Sequence, residues 1–199
     1  MVDLVTGDAC VAIFGTLYRM GRLSLPHGAQ VLEVGCAEDD FLTPMLKERP
    51  DLQLTGIDWR PCDRPGTVIR GDVLTHDFPE ASFDAVVGVS SIEHIGLGHY
   101  SQDPLDVDGD RHCLERVVKW LKPGGWVYAD VPYDPAGYFV HGTAYRVYDE
   151  AALASRIVVP GLVERQRWYC TLDQPRTLLP VCPDSYHSMR IAVVVAEKV

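Results

Sequence analysis

The sequence predicts an α/β fold, a doubly wound and mostly parallel sheet of seven strands with an antiparallel hairpin at its C-terminal edge. Three observations predict it. Short β-prone runs alternate with amphipathic segments between residues 30 and 131; the first run ends in an acid and a glycine, "EVG" (33–35); and the tail after 161 holds two strand runs with no helix between them. A helical crossover returns the chain to the same end of the sheet, so strands joined that way lie parallel. Strands joined without one pair antiparallel.

The first element is "CVAIFGTLYRMGRL" (10–23), whose apolar core is short and interrupted by Gly15 and Thr16. It lacks the basic start of a signal peptide and the roughly 20 apolar residues of a membrane span. Residues 1–28 therefore read as a helical cover, packed on the domain over the ligand. Five β-prone runs follow: "QVLEV" (30–34), "LQLTGID" (52–58), "GTVIR" (66–70), "FDAVVGVS" (83–90) and "GWVYADV" (125–131). Between the first two, Phe41, Leu42, Met45 and Leu46 fall on one helical face, with Asp39 or Asp40 as the cap. Pro44 sits in the first turn, where its missing N–H is tolerated. Before the fifth run, Leu114, Val117, Val118 and Leu121 repeat at helical spacing, and Pro123-Gly124-Gly125 ends that helix. "RVYDEAALASRI" predicts a further helix with Asp149 near its cap. The tail runs near 162–170 and 190–198 flank a Pro-containing loop.

At 199 residues the chain fits one domain, 1–199, with enough length to bury a core. The formal net charge of −10 argues against a partner held mainly through phosphates, since nucleic-acid affinity needs clustered Lys and Arg. A small-molecule partner fits better, with no membrane and no nucleic acid, and the oligomeric state stays open. The six cysteines are scattered without CxxC or zinc spacing. Reduced thiols in a cytoplasmic protein are expected.

In doubly wound sheets the ligand binds beyond the carboxyl ends of the strands. Here strand one ends at Glu33-Val34-Gly35 and strand two at Asp58. Gly35 lets the backbone approach a ligand closely, and a carboxylate at Asp58 can accept from both hydroxyls of a ribose. A dinucleotide fingerprint would place two more glycines where Ala37 and Asp39 stand.

This order of motifs resembles the class I S-adenosylmethionine-dependent methyltransferases, with their Rossmann-like sheet, from about residue 28 to 199. The family's E-x-G-x-G-x-G loop is met by Glu33 and Gly35, with Ala37 and Asp39 at the later glycine positions. The resemblance implies that Asp58 holds the ribose, with Trp59 beside the adenine. It implies that Asp72 in "RGDVL" accepts from the adenine amino group, that Val73 lines the ring, and that Ser90 lies near the methionine moiety. The implied cofactor is S-adenosylmethionine and its product S-adenosylhomocysteine. "DVPY" (130–133) is similar to a box of amino methyltransferases acting on DNA bases or glutamine, but that box follows strand four and Val131 replaces its first proline. "IEHIGLG" resembles segments of a bacterial methyltransferase group linked to surface polysaccharide synthesis, which favours a sugar or a related natural-product intermediate as acceptor. Rivals are a nicotinamide-dependent enzyme and a non-catalytic S-adenosylmethionine binder.

The segment after strand four, "SSIEHIGLGHYSQDPLDVDGDRH" (90–112), decides the chemistry. Methyl transfer is an in-line displacement that alignment accelerates. A hydroxyl acceptor gains further from a base, and imidazole titrates in the right range. His94 is the expected base, with Glu93 the second candidate; O-methylation is favoured over N- or C-methylation. His94, His99 and His112 lie near Asp103, Asp106, Asp108 and Asp110, a set of cation ligands by type. Their spacing fits no calcium loop and Asp108 or Asp110 can cap a helix, so no metal is assigned. Five of nine tyrosines lie between 128 and 148. Tyr133, Tyr138, His141, Tyr145 and Arg146, with Tyr100, are the expected acceptor pocket. The alternative is that the tyrosines pack on the sheet with hydroxyls at the surface.

Overall fold

β1 (Gln30–Val34) lies inside the sheet because both of its faces are apolar: Val31 and Leu32 point opposite ways and both are fully buried. A computed structural model describes residues 6–19, 23–37, 42–63, 66–99, 105–183 and 188–199. In it β1 pairs in parallel with β2 (Gln53–Asp58) and β4 (Phe83–Val89). β3 (Thr67–Arg70) extends the sheet beyond β2, and β5 (Leu121–Tyr133) extends it beyond β4, both in parallel. Helix α2 (Leu42–Glu48) joins β1 to β2, and α3 (Gly109–Trp120) precedes β5. The expected caps Asp39 and Asp40, and Phe41, lie outside the described residues.

The antiparallel edge is present but built differently from the expected pair. β10 (Arg190–Lys198) inserts between β5 and β8 (Leu162–Thr171), antiparallel to both. The Pro-containing loop carries an eighth strand, β9 (Gln174–Leu179), which pairs with β8 at the edge. Pro175 is tolerated there because an edge strand has one side without a ladder. Three further expectations are corrected. Leu121 opens β5 instead of closing the helix. Arg146 and Val147 belong to a separate two-stranded sheet, β6 (Phe139–His141) with β7 (Tyr145–Val147). The helix after it is short, α4 (Glu150–Ala152) running into a single π-type turn, although Asp149 caps it by accepting from Ala152 N–H at 2.7 Å.

Period-two alternation divides the core into two layers. Leu32, Val86, Val127 and Val194 face α3, where Leu114 and Val117 meet them. Val31, Val87, Tyr128 and Val193 face the other way, where Ile13, Phe14 and Leu17 of α1 (Thr6–Arg19) cover them. Phe14 meets Tyr128 edge to face at 5.0 Å. The N-terminal helix thus covers a sheet face; none of its described residues lines the crevice at the strand ends. Arg49 anchors the segment that follows, bonding Asp51, the carbonyls of Leu25 and Pro26, and Tyr18.

Candidate functional site

The carboxyl ends of β1, β2 and β4 enclose a crevice with about 500 Å³ of empty space. Gly35 turns the chain at φ +82°, and a Cβ there would stand 2.4 Å from Ser91 Cβ. Both the left-handed backbone and the close approach therefore require glycine. Ser91 fixes that approach by donating from Oγ to Val34 O at 2.7 Å. Asp58, 7% exposed, stands at the end of β2 and lines the crevice with Trp59 and Arg60. Its Oδ2 accepts from Ala37 N–H at 3.0 Å and Arg60 Nη2 at 3.0 Å; its Oδ1 accepts from Arg60 N–H at 2.8 Å and Arg60 Nε at 3.0 Å. Asp72 borders the same space and accepts from Leu74 N–H at 2.8 Å. Val34, Ile57, Val73 and Ile95 supply an apolar lining.

This crevice brings together Gly35, Asp58, Trp59, Asp72, Val73 and His94 of the residues expected from sequence. Glu33 is buried in β1 behind the turn, and Ala37 contributes its N–H to Asp58; neither lines the crevice. Ser90 does not line it either. At φ +46° it donates its N–H to Asp130 Oδ1 at 2.8 Å and its hydroxyl to Glu93 Oε1 at 3.2 Å, while Ser91 takes the crevice position. Arg60 and Ser91 are the residues that sequence reasoning missed. Only Arg60 left a signal, as a base two places after the acid of "GIDWR". Cys36 follows Gly35, but burial holds its thiol protonated far above the usual range, which makes it no nucleophile.

His94 ends a single 3-10 turn, Ile92–His94, directly after β4. Its Nδ1 lies 2.5 Å from Ala144 O. A carbonyl only accepts, so Nδ1 carries the proton and Nε2 keeps the lone pair. Nε2 stands 3.8 Å from Oε1 of Glu93, a carboxylate that is 2% exposed on its side chain. His94 meets the Tyr145 ring edge-on at 6.4 Å, and Tyr145 stacks on His141 at 5.0 Å.

Tyr145 and His141 belong to a second cavity, with about 830 Å³ of empty space, at the ends of β5 and β10. Tyr133, Asp134, Phe139 and Arg190 also line it. Tyr133 donates its hydroxyl to Glu150 Oε1 at 2.9 Å, and burial followed by that carboxylate pushes its pKa well above the ordinary tyrosine value. Two of the expected acceptor residues lie elsewhere. Tyr138 packs edge-on against Tyr148 beneath the Arg156 guanidinium. Arg146 is fully buried, its guanidinium bonded to the carbonyls of Glu93, Ile95, Asp106 and Val107 and 3.4 Å from Asp110. A group so placed holds the loop after β4 instead of meeting a ligand. Tyr100 and Asp103 lie outside the described residues.

The remaining acids of that loop are paired with cations and donors. Asp106 accepts from His112 Nδ1 at 2.6 Å; Asp108 takes the N-cap position of α3 but bonds Arg156 instead of the helix; Asp110 bonds Arg156 and Tyr148. Among the described residues no group of three or more His, Cys, Asp or Glu is gathered to hold an ion. No described helix is long and apolar enough to cross a membrane.

A sheet ordered β3-β2-β1-β4-β5-β10-β8, with the reversed β10 slotted between β5 and β8, has the architecture of class I S-adenosylmethionine-dependent methyltransferases. The Burkholderia thailandensis 1,6-didemethyltoxoflavin-N1-methyltransferase, solved with bound 1,6-didemethyltoxoflavin and S-adenosylhomocysteine, matches 99% of this chain and 81% of its own. Its TM-score is 0.68 at 18% identity. The N-methyltransferase NodS from Bradyrhizobium japonicum, with S-adenosylhomocysteine, matches 85% of this chain and 78% of its own at TM-score 0.56 and 19% identity. The [4+2]-cyclase SpnF matches 94% of this chain and 81% of its own at TM-score 0.68 and 14% identity. Identities this low establish a shared fold. A family model described as "Caenorhabditis protein of unknown function, DUF268" matches residues 73–162. No curated protein matches the sequence.

Proposed function

We propose that the protein transfers a methyl group from S-adenosylmethionine to a hydroxyl of a small molecule, a sugar or a related natural-product intermediate. One observation carries the reading. Two cavities lie at the same edge of the sheet, and they meet where His94 of the first touches Tyr145 of the second.

The first cavity suits the cofactor. Gly35 opens room for it, Asp58 faces a ribose diol, Asp72 stands where an adenine amino group can donate, and the apolar lining suits the ring. Trp59 Nε1, buried with no partner among the described residues, leaves a donor for a ligand. When bound, S-adenosylmethionine supplies a methyl group on a sulfonium, a strong electrophile. The chain supplies the base. His94 Nε2 takes the acceptor's proton, the Ala144 carbonyl keeps the ring in the tautomer that can do so, and Glu93 stabilises the imidazolium. Tyr133, His141 and Tyr145 form the acceptor wall.

Nitrogen is the second reading for the acceptor atom, favoured by the two N-methyltransferase structures of like fold. A free amine already has its lone pair and needs the base less. Two substitutions test the proposal. Asp58→Ala should weaken S-adenosylmethionine binding by roughly 1–3 kcal/mol, the range for losing hydrogen bonds to a charged acceptor. His94→Ala should lower S-adenosylhomocysteine production from a panel of glycosides and phenols by roughly 100- to 10,000-fold and spare cofactor affinity. Unchanged calorimetric affinity in the first variant would remove Asp58 from the ribose. Near-parental turnover in the second would move the reaction to nitrogen or to alignment alone.

A further inference from the structure

Asp58 is already saturated. A carboxylate offers about four acceptor positions, and four N–H groups fill them: two backbone amides, Ala37 and Arg60, and two from the Arg60 guanidinium. The two kinds of donor do different jobs. Ala37 N–H holds Oδ2 and Arg60 N–H holds Oδ1, so the backbone alone fixes the carboxylate's orientation. The guanidinium adds one further bond to each oxygen, from a side chain 25% exposed at the crevice. It stands where the two hydroxyls of a ribose would donate.

We propose that Arg60 is a competitor built into the crevice: its guanidinium holds Asp58 until a vicinal diol displaces it, so that Arg60 sets cofactor affinity by weakening every ligand that carries the diol. This rests on the reading of Asp58 as the ribose ligand. The exchange is bond for bond, two N–H donors leaving as two O–H donors arrive. Donor and product share the same ribose, so the competition weakens both alike and hastens release of S-adenosylhomocysteine. A nucleoside with no hydroxyls at these positions has nothing to offer Asp58 and gains nothing from displacing the guanidinium.

Calorimetry with S-adenosylhomocysteine, adenosine and 2′,3′-dideoxyadenosine tests this on the parent and on Arg60→Ala, with thermal melting to confirm the fold. Arg60→Ala should bind S-adenosylhomocysteine and adenosine about 2- to 10-fold more tightly, the range for removing a partly exposed ion pair made through two hydrogen bonds. Its affinity for dideoxyadenosine should stay at the parental value. In an Asp58→Ala background the same substitution should change nothing, because the contested partner is gone. If Arg60→Ala does not fold, Arg60→Lys keeps the charge without the two-pronged grip and should give a smaller gain of the same sign. Unchanged or weaker binding of S-adenosylhomocysteine by the variant overturns the competitor. A parent that binds neither S-adenosylhomocysteine nor adenosine overturns the cofactor reading beneath it.

Discussion

Gly35 carries two constraints at one atom, and they separate experimentally. An alanine there must accept a left-handed backbone and push Ser91, whose Cβ would lie 2.4 Å away. Gly35→Ala should therefore cost about 2–4 kcal/mol in urea unfolding, the sum of backbone strain and overpacking. Adding Ser91→Gly removes the clash and leaves the strain, so it should restore about half; full restoration would show that φ costs nothing. The sequence made Gly35 and Asp58 legible because an acid and a glycine at strand ends have few other uses. Ser90 and Ser91 were not separable: both follow the strand, and a positive φ at Ser90 decides which hydroxyl turns to the crevice. Arg60 was equally opaque, since a flexible base beside an acid can point to solvent or inward with little change in local pattern.

Among the elements, the β6–β7 hairpin depends most on a single side chain. Arg146 leaves β7 and bonds four carbonyls of the 93–107 region, and the Ala144 carbonyl that orients His94 lies in the same hairpin. Arg146→Met would leave those carbonyls without their donor, a loss of roughly 3–5 kcal/mol for breaking a buried charge network. Hydrogen exchange should quicken first at residues 139–147 and 105–107, ahead of the main sheet. Protection kept at parental level in both segments would mean that Arg146 is no anchor. Sequence periodicity found β1 to β5 and α3 because each repeats its apolar pattern over several residues. It missed β6 and β7 because each has three residues, and β9 because a proline opens an edge strand whose outer side needs no ladder.

For the molecule as a whole, acid is the sensitive direction. Burial pushes Glu150 upward, but donors from Tyr169 and Tyr133 and the Arg167 charge hold it below its ordinary 4.5. Asp106 is likewise pushed up by burial yet held below 3.8 by His112 and Asp108 N–H. A hydrogen bond from Arg49, then one from Gly28 N–H, holds Asp51 well below that value. Carboxyls depressed in the folded state stabilise it above their unfolded values, and the contribution fades as pH falls through the folded ones. Melting temperature should therefore hold near neutrality and drop below about pH 4.5. Glu150→Gln should lose less between pH 5 and pH 3 than the parent; an identical slope would take Glu150 out of the account.

Among the described residues the small sheet of β6 and β7 shares no ladder with the main one; a single bridge between Tyr133 and Tyr148, which follows β7, links it to β5. Phe139, Val140 and His141 are exposed on it, while the first crevice is cast into the ends of β1, β2 and β4. Inheritance can therefore treat the two halves separately. Drift at Phe139 and His141, which line the second cavity, can reshape that cavity without touching Gly35 or Asp58 in the first. A lineage carrying this chain can remodel one cavity and conserve the other.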